Sequence, residues 1–505
     1  MENSNNAVDR KYPVEAFLKN GVADPVALRR YYDHATQNQQ VSELVATLDR
    51  LQEQLPGDRN IQKVKIALYL VQQNYPAAMA EIEAQISMCT PDDGLIDAAL
   101  AVRRKLGPMS VSDCPPDRPS VSLCMIVKDE AVGLGACLHV AKKLVDEIIV
   151  VDTGSKDRSR DIASIFGAST FFYPWDNDFS AARNVSLSHA RGDWILILDA
   201  DEIIASKDHE ALHKVLLQSR TGVSAFAIET RNYSFVANAF GWQTNDGSYP
   251  KHEAGLGWVP SRKVRIFPNV EVVRFCFPVH ERVEPTLSSS GIQVIDCPIP
   301  IHHYGDLSHR RKLEKARHYF EIGKAKLSQS ESDPSAVREL AVQAGELERW
   351  HEAIALWQRL LDQRPDFVEA HVNIAGALWQ LGQYPQSLEA ARYAADLDPS
   401  IKEAWFNIAI SQLLIGNVDK AIDLLETLTA RYPGYLAADF MLAAAYGCSG
   451  NLDQGSELLD CLRNTCGEKT LSIAMNDLKK RIKQERLNSF INNLEALPCQ
   501  IVPGE

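Results

Sequence analysis

The stretch GDWILILDADE, residues 192–202, decides the reading of this chain. Trp194 to Leu198 form an unbroken apolar run that stops abruptly at two carboxylates separated by one residue, Asp199 and Asp201. So short a run, apolar at every position, is what a strand buried on both faces requires, and both faces are buried when a parallel sheet is covered by helices. Two earlier stretches have the same texture: SLCMIVKDEA at 122–131 and EIIVVDTGSKDRS at 147–159. Turns and segments with apolar residues at three-to-four spacing follow them. Strands and helices therefore alternate, and a mostly parallel α/β sheet is expected here. Ligands of such sheets gather at the C-terminal ends of the strands.

Those ends are where polar residues cluster: Lys128-Asp129-Glu130, Asp152-Thr153-Gly154-Ser155 and Asp199-Ala200-Asp201-Glu202. Two carboxylates one residue apart at a strand exit point the same way and can share a divalent cation through hard oxygen ligands. Taken alone, DADE also describes a helix N-terminus, whose free amides and positive dipole end attract acidic residues. VDTGS alone equally describes a tight turn closed by a capping serine. The ordered set separates these alternatives, because DFSAARN at 178–184 falls between EIIVVDTGSKDRS and GDWILILDADE and completes a series of four.

In this order the four segments resemble family 2 glycosyltransferases of the GT-A fold, a Rossmann-like mixed, mostly parallel sheet, over about residues 120–310. The branch resembled holds lipopolysaccharide-core glucosyltransferases and repeat-bearing protein glycosyltransferases. The resemblance implies a metal-dependent, inverting, hexosyl-type transfer from a nucleotide-sugar donor. Glu130 and Asp152 would line the nucleoside pocket, and Arg183 would sit close to the nucleotide. Asp201 would contact Mn²⁺ or Mg²⁺ directly, and Asp199 would reach the ribose or a metal-bound water. The usual VDDGS has Thr153 in place of its second acid, which leaves UDP, GDP and dTDP open, with a UDP-sugar as the expected donor. The cation would stabilise charge growing on the leaving diphosphate.

Inverting members also need a carboxylate that takes the acceptor's proton. Glu281 in FPVHERV (277–283) stands where the related enzymes carry an HE pair, beside His280 and after the β-rich KVRIFPNV (263–270). IHHYGD at 301–306 matches an HYG near the donor diphosphate, which would place His303 in the metal shell or on a phosphate. Residues 232–265 are rich in glycine, aromatic and polar residues and poor in periodicity, as a substrate loop is. Trp242 and Tyr249 would stack on a sugar there, or else anchor the loop. Gly133-Leu134-Gly135 and the sequon-like Asn184-Val185-Ser186 are assigned no role.

The C-terminal part repeats. Pro365, Pro399 and Pro433 are 34 residues apart, as are Gly382, Gly416 and Gly450. Glycine at the turn between two helices and proline after the second helix fit that period, and the pattern resembles tetratricopeptide repeats. About four units are expected over 334–467, with a polar-faced capping helix and tail over 468–505. Asn74-Tyr75-Pro76 parallels Gln383-Tyr384-Pro385, so residues 1–106 are expected to be helical and repeat-like. The segment 107–120 holds four prolines and no periodicity, and reads as a linker to a transferase domain at 121–310, with a connecting helix at 311–333.

The chain has 505 residues, 45% of them hydrophobic and 24% charged, as in ordinary globular proteins. Its net charge of −13 and lack of a long basic run argue against a nucleic-acid partner. Ten cysteines occur without CxxC pairs, against a zinc site or disulfide framework. No run approaches the roughly 18 apolar residues of a membrane span, and the first residues lack a secretory pattern, so a cytoplasmic location is expected. Stacked helix pairs present a long surface suited to an extended polypeptide, which favours a protein or peptide acceptor, through oxygen or sulfur. Repeat-bearing relatives also imply two copies associating through the repeats. The alternatives are a lipopolysaccharide-core or polysaccharide glycosyltransferase, and a repeat scaffold with an inactive transferase domain.

Overall fold

The structure, a computed structural model, describes residues 13–19, 22–115, 118–219, 224–235, 237, 239–278, 281–307, 316–317, 320–324, 334–467, 471, 474–475 and 478–479. Two compact units divide it: Met1–Glu229 with Arg262–Ile301, and Thr230–Ser261 with His302–Glu505. No helix among the described residues is long and apolar enough to cross a membrane.

The first unit, expected to start with a helical, repeat-like region, opens with a two-residue antiparallel pairing, Leu18–Lys19 with Val22–Ala23. Five helices follow: α1 Pro25–Gln37, α2 Val41–Gln54, α3 Arg59–Val71, α4 Tyr75–Met88 and α5 Asp93–Leu106. Side-chain caps start four of them, at Asp24, Asp58, Asn74 and Asp92, each accepting a backbone N–H that the first turn leaves unpaired.

The proline-rich segment parts these helices from the sheet in sequence but not in packing. Met79, Ile82, Ile86, Ile96 and Val102 belong to the same core as Leu123, Ile148, Trp194 and Leu196. The contact is close: a Cβ on Gly135 would lie 2.9 Å from the Ile86 side chain and 3.0 Å from its carbonyl oxygen, so only glycine lets α4 approach here. Glu83, nearly buried, is held at 2.7 Å by both Arg103 and Lys142, one cation from each side of the linker.

The sheet contains β1 Val121–Val127, β2 Glu147–Asp152, β3 Ser169–Phe172, β4 Trp194–Ile197, β5 Glu202–Ile203, β6 Ser224–Ser234, β7 Gln243–Thr244, β8 Gly257–Pro268 and β9 Gln293–His303. Helices α6 Leu134–Ala141, α7 Ser159–Ile165, α8 Phe179–His189, α9 His209–Gln218 and the short α10 Glu284–Ser289 lie between them in sequence. The strand order is β3-β2-β1-β4-β8-β6-β9-β5, with β7 paired to β8. Strands β3, β2, β1 and β4 are parallel, and β8 joins β4 antiparallel. The apolar runs that announce β1, β2 and β4 are buried almost throughout, as a sheet covered on both sides demands.

The second unit holds four helix pairs among its described residues: α11 Pro334–Glu346 with α12 Trp350–Gln363, α13 Val368–Gln380 with α14 Tyr384–Leu397, α15 Lys402–Ile415 with α16 Val418–Arg431, and α17 Leu436–Ser449 with α18 Leu452–Cys466. Gly382, Gly416 and Gly450 end the first helix of a pair at φ of 74°, 100° and 91°, and the spaced prolines follow the second helix. Ala375, Ala394, Ala409 and Ala421 are fully buried between helices. Of the stretch expected to connect the domains, 316–317 and 320–324 are described, all helical. The expected capping helix and tail lie outside the described residues, apart from 471, 474–475 and 478–479.

Candidate active site

Register brings the polar strand ends together. Asp152, the last residue of β2, pairs with Val127, the last of β1. Ile197 pairs with Cys124, so the chain beyond β4 reaches the level of Ile126 at Asp199. The antiparallel β8 pairs Ile266 with Leu196, and its continuation sets Lys263 level with Asp199.

The loops after β1 and β2 are laced to each other by hydrogen bonds. Asp129 and Glu130 donate their backbone N–H groups to Ser155 Oγ at 2.9 Å and Ser159 Oγ at 2.8 Å. Asp129 Oδ1 accepts from Lys156 N at 2.7 Å, and Asp157 accepts from Ala131 N and Ser159 N. Burial pushes the Asp157 carboxyl up, but these donors, Ser159 first, outweigh it and hold it below its ordinary value. Asp152 is buried, accepts from Ser155 N at 3.0 Å and lies 3.9 Å from Arg160. Glu130 is partly exposed. These two residues thus share one laced rim.

Arg183 organises the centre of the site. It projects from α8, which Asp178 caps by accepting Ala181 N at 2.9 Å. Its neighbour Asn184 exchanges two hydrogen bonds with the Phe275 backbone, at 3.0 and 2.8 Å, and so pins the segment that carries Glu281. Cys276 and Arg282 then pair their backbones across the turn at 2.8 and 3.0 Å. The result is that one guanidinium binds two acids far apart in sequence: Nη2 to Asp199 Oδ1 at 2.7 Å and Nε to Glu281 Oε1 at 2.9 Å. Phe275 lies under the same guanidinium, 5.7 Å from its ring centre. His280 lies outside the described residues.

A second arginine closes the cluster. Arg265 on β8 bonds buried Glu202 and stands 3.9 Å from Asp199 Oδ2. Glu202 in turn accepts the backbone N–H of Asp199 at 2.9 Å. The DADE motif therefore divides its work: Glu202 is a strut, Asp199 faces two arginines, and Asp201 sits partly exposed in the turn beyond. Both arginine side chains are 6% exposed. Stripping the charge from either would remove a buried ion-pair partner, a change that costs about 3–5 kcal/mol in buried pairs.

Burial pushes the Asp199 carboxyl up, but Arg183 and then Arg265 outweigh it and hold it well below the usual carboxylate range. Arg183, pulled down by burial, is raised further by Asp199 and Glu281. A depressed carboxylate contributes stability that is complete above its unfolded pKa of about 3.9 and fades as pH falls toward the folded value. Urea midpoints measured from about pH 5 to pH 2 should accordingly fall less steeply for Asp199→Asn than for the native chain; parallel curves would contradict the pairing.

The second unit places the remaining candidates. His303 Nδ1 lies 2.9 Å from Asn232 Oδ1, and Asn232 is oriented by donating Nδ2 to Val259 O at 2.8 Å. The histidine must therefore donate through Nδ1, which leaves the lone pair of the neutral ring on Nε2, as in a histidine that contacts a cation or a phosphate proton. Tyr249 is half-buried, with its ring 4.5 Å from His302 and 5.0 Å from the Arg231 guanidinium. Of the two roles expected for Trp242, a ring stacked on sugar or an anchor for its loop, it takes the second: it is 1% exposed and belongs to the core of the repeats, 6.4 Å from the Tyr435 ring. Its apolar area finds a permanent partner there, which leaves no ring face for a ligand.

The model of glycosyl transferase family 2 matches residues 122–269, and a tetratricopeptide-repeat model matches 338–400 and 372–436. The chain carries a family 2 glycosyltransferase domain joined to tetratricopeptide repeats. Among curated proteins it is similar to a TPR repeat-containing protein of Synechococcus elongatus, 36% identical over 49% of this chain and 58% of that one. It is also similar to the SPbeta prophage-derived glycosyltransferase SunS of Bacillus subtilis, 33% identical over 20% of this chain and 24% of that one. An uncharacterized glycosyltransferase of Haemophilus influenzae is 34% identical over 17% of this chain and 36% of the relative. The matches thus span between about a quarter and three fifths of those relatives' lengths.

The family 2 match takes in Glu130, Asp152, Arg183, Asp199 and Asp201, and ends before Glu281 and His303. Sequence reasoning missed Arg265 and Glu202 as site residues. The signal for Arg265 is present in KVRIFPNV, where an arginine sits between two apolar residues of a strand, a place that demands an acidic partner. Among the described residues no three His, Cys, Asp or Glu side chains converge into a cage for a cation. A cation that arrives with a diphosphate needs no cage, since one or two carboxylates and the phosphate oxygens suffice. Both oxygens of Asp199 face arginines, and Asp201 lies partly exposed in the turn beyond.

Proposed function

We propose that this chain moves a hexosyl-type sugar from a nucleotide-sugar donor, a UDP-sugar in first place, to a side chain of a protein or peptide, with inversion and with Mn²⁺ or Mg²⁺. The observation that carries this reading is Arg183, which ties the nominated base Glu281 to Asp199 at the end of β4. Two acids fixed by one buried arginine cannot drift, and fixed groups lower a barrier because they need no reorganisation as charge develops.

In this reading Asp152 and Glu130 receive the nucleoside on the rim between the loops after β1 and β2. Asp201 holds the cation, which when bound neutralises charge on the diphosphate, and Asp199 meets the ribose or a coordinated water. Arg183 Nη1 is buried without a hydrogen-bond partner among the described residues, a donor suited to a water or a ligand oxygen. Glu281 takes the proton from the acceptor's hydroxyl or thiol as that oxygen or sulfur forms its bond to the anomeric carbon. The bond from that carbon to the diphosphate oxygen breaks on the opposite face, and the nucleoside diphosphate leaves with the electron pair.

The repeats support a polypeptide acceptor, because stacked helix pairs hold extended chains. Incubating the chain with nucleotide sugars, Mn²⁺ and candidate polypeptides should add the mass of a sugar residue to a polypeptide, read by intact mass spectrometry. A sugar that appears only on a glycan acceptor would replace this acceptor class.

A further inference from the structure

The loop between β6 and β8 is gripped by the repeats, through its main chain. Gly241 donates its N–H to Glu403 Oε1 at 3.0 Å, and Trp242 accepts a hydrogen bond from Lys402 Nζ at its carbonyl oxygen. Lys402 and Glu403 are adjacent on the first turn of α15, so one helix end reads the donor and the acceptor of consecutive residues. The Trp242 ring enters the space beside Tyr435, and the Lys402 ammonium stands 4.9 Å from the Tyr435 ring centre and 5.8 Å from that of Trp242. Phe240 packs on the neighbouring cluster with Ala375, Ala404 and Ile408.

Several details are specific to this one occupant. Glu403 stands 34 positions after Glu369, which takes both its hydrogen bonds from Arg338 at 2.7 and 2.5 Å. The residue one repeat after Arg338 is Val372, which has no side-chain donor, and Glu403 takes the loop's N–H in its place. Gly257, across from the tryptophan, is equally matched: a Cβ there would lie 2.4 Å from the Trp242 ring. Burial pushes the Glu403 carboxyl up and the Lys402 ammonium down, the cost of keeping a charged pair at a desolvated peptide group.

We propose that the face formed by α15 and α17 is a peptide-reading site filled by the chain's own Phe240–Thr244, and that Lys402 and Glu403 are positioning residues whose hold on this loop sustains turnover. β8 runs from the loop at Gly257 on to Arg265, the residue that bonds Glu202, so the strand leaving the clasp is the strand that serves the acidic cluster. The repeats at this face therefore hold a segment of their own chain. The turnover half of the proposal rests on the transferase reading; the clasp half does not.

The test uses the full chain with Lys402→Met combined with Glu403→Gln, and Lys402→Arg as the conservative control. Hydrogen exchange of the peptides covering 239–256 should quicken about tenfold or more in the double variant, with α13 to α16 unchanged. Nucleoside diphosphate release should show kcat about tenfold or more below the native value, the scale expected when a catalytic element is displaced. Lys402→Arg should keep both near native. Unchanged loop exchange overturns the proposal, and so does a loosened loop with native kcat. If the double variant also loosens the repeats, Trp242→Phe decides: it preserves both main-chain bonds, so retained loop protection supports the clasp and lost protection overturns it. A native chain that turns over no donor leaves the exchange result standing and counts against the transferase reading alone.

Discussion

Glu281→Gln should slow sugar transfer by about a hundredfold or more while leaving nucleotide binding close to native, the scale of losing a general base. The amide retains an oxygen that can accept from Arg183 Nε, now at 2.9 Å, so the turn between Cys276 and Arg282 and the orientation of α8 should persist. What disappears is the capacity to take a proton. Steady-state kinetics with saturating donor would therefore show the loss in kcat and little change in donor KM. A variant with native kcat would assign the base to another residue, and one that loses nucleotide binding in parallel would make Glu281 a structural partner of Arg183.

The strand ends were legible because burial and chemistry meet abruptly there. Val127, Asp152 and Asp199 each mark the point where an apolar run stops, and parallel register does the rest. The pairing of Arg183 with Glu281 was not legible as a contact, since it depends on Asn184 pinning the Phe275 backbone, a long-range event that leaves no local pattern. Asn184 itself reads as part of a sequon and turns out to be that pin. The choice between the two roles open to Trp242 was not legible for the same reason: its partner Tyr435 lies in another region of the sequence, and an aromatic residue in a glycine-rich loop reads alike whether it covers a sugar or a helix.

Local signals also stop short of packing at the start of the chain. The four prolines of 107–120 mark where a helix must end, and say nothing about whether the helices before them share a core with the sheet after them; Ile86 against Gly135 shows that they do. The short pairing of Leu18–Lys19 with Val22–Ala23 escaped a helical reading of the region, although Asn20-Gly21 in the sequence between them is a hairpin signal. In the repeats, by contrast, the glycines and prolines state the backbone requirement directly, and their spacing carries the architecture.

The repeats complicate one obvious experiment. Removing 334–505 to ask whether they recruit the acceptor would also strip the cover from Trp242, which is 1% exposed in the intact chain. Loss of transfer after truncation would then report a broken loop as readily as a lost acceptor. Point changes at Lys402 and Glu403 separate the two.

Asp201→Asn should abolish the metal-dependent reaction. Asn keeps the size of the side chain in a partly exposed turn and removes the negative charge that would hold a divalent cation beside the diphosphate. Asp199 does not replace that charge, because Arg183 and Arg265 already offset its own. The decisive measurement is the release of nucleoside diphosphate from UDP-, GDP- and dTDP-sugars by the native chain and by Asp201→Asn, over a titration of Mn²⁺. Metal-dependent release from at least one donor is expected of the native chain, and its abolition of the variant, with unchanged thermal unfolding. Release by the variant at the native rate, with the same response to Mn²⁺, would contradict it.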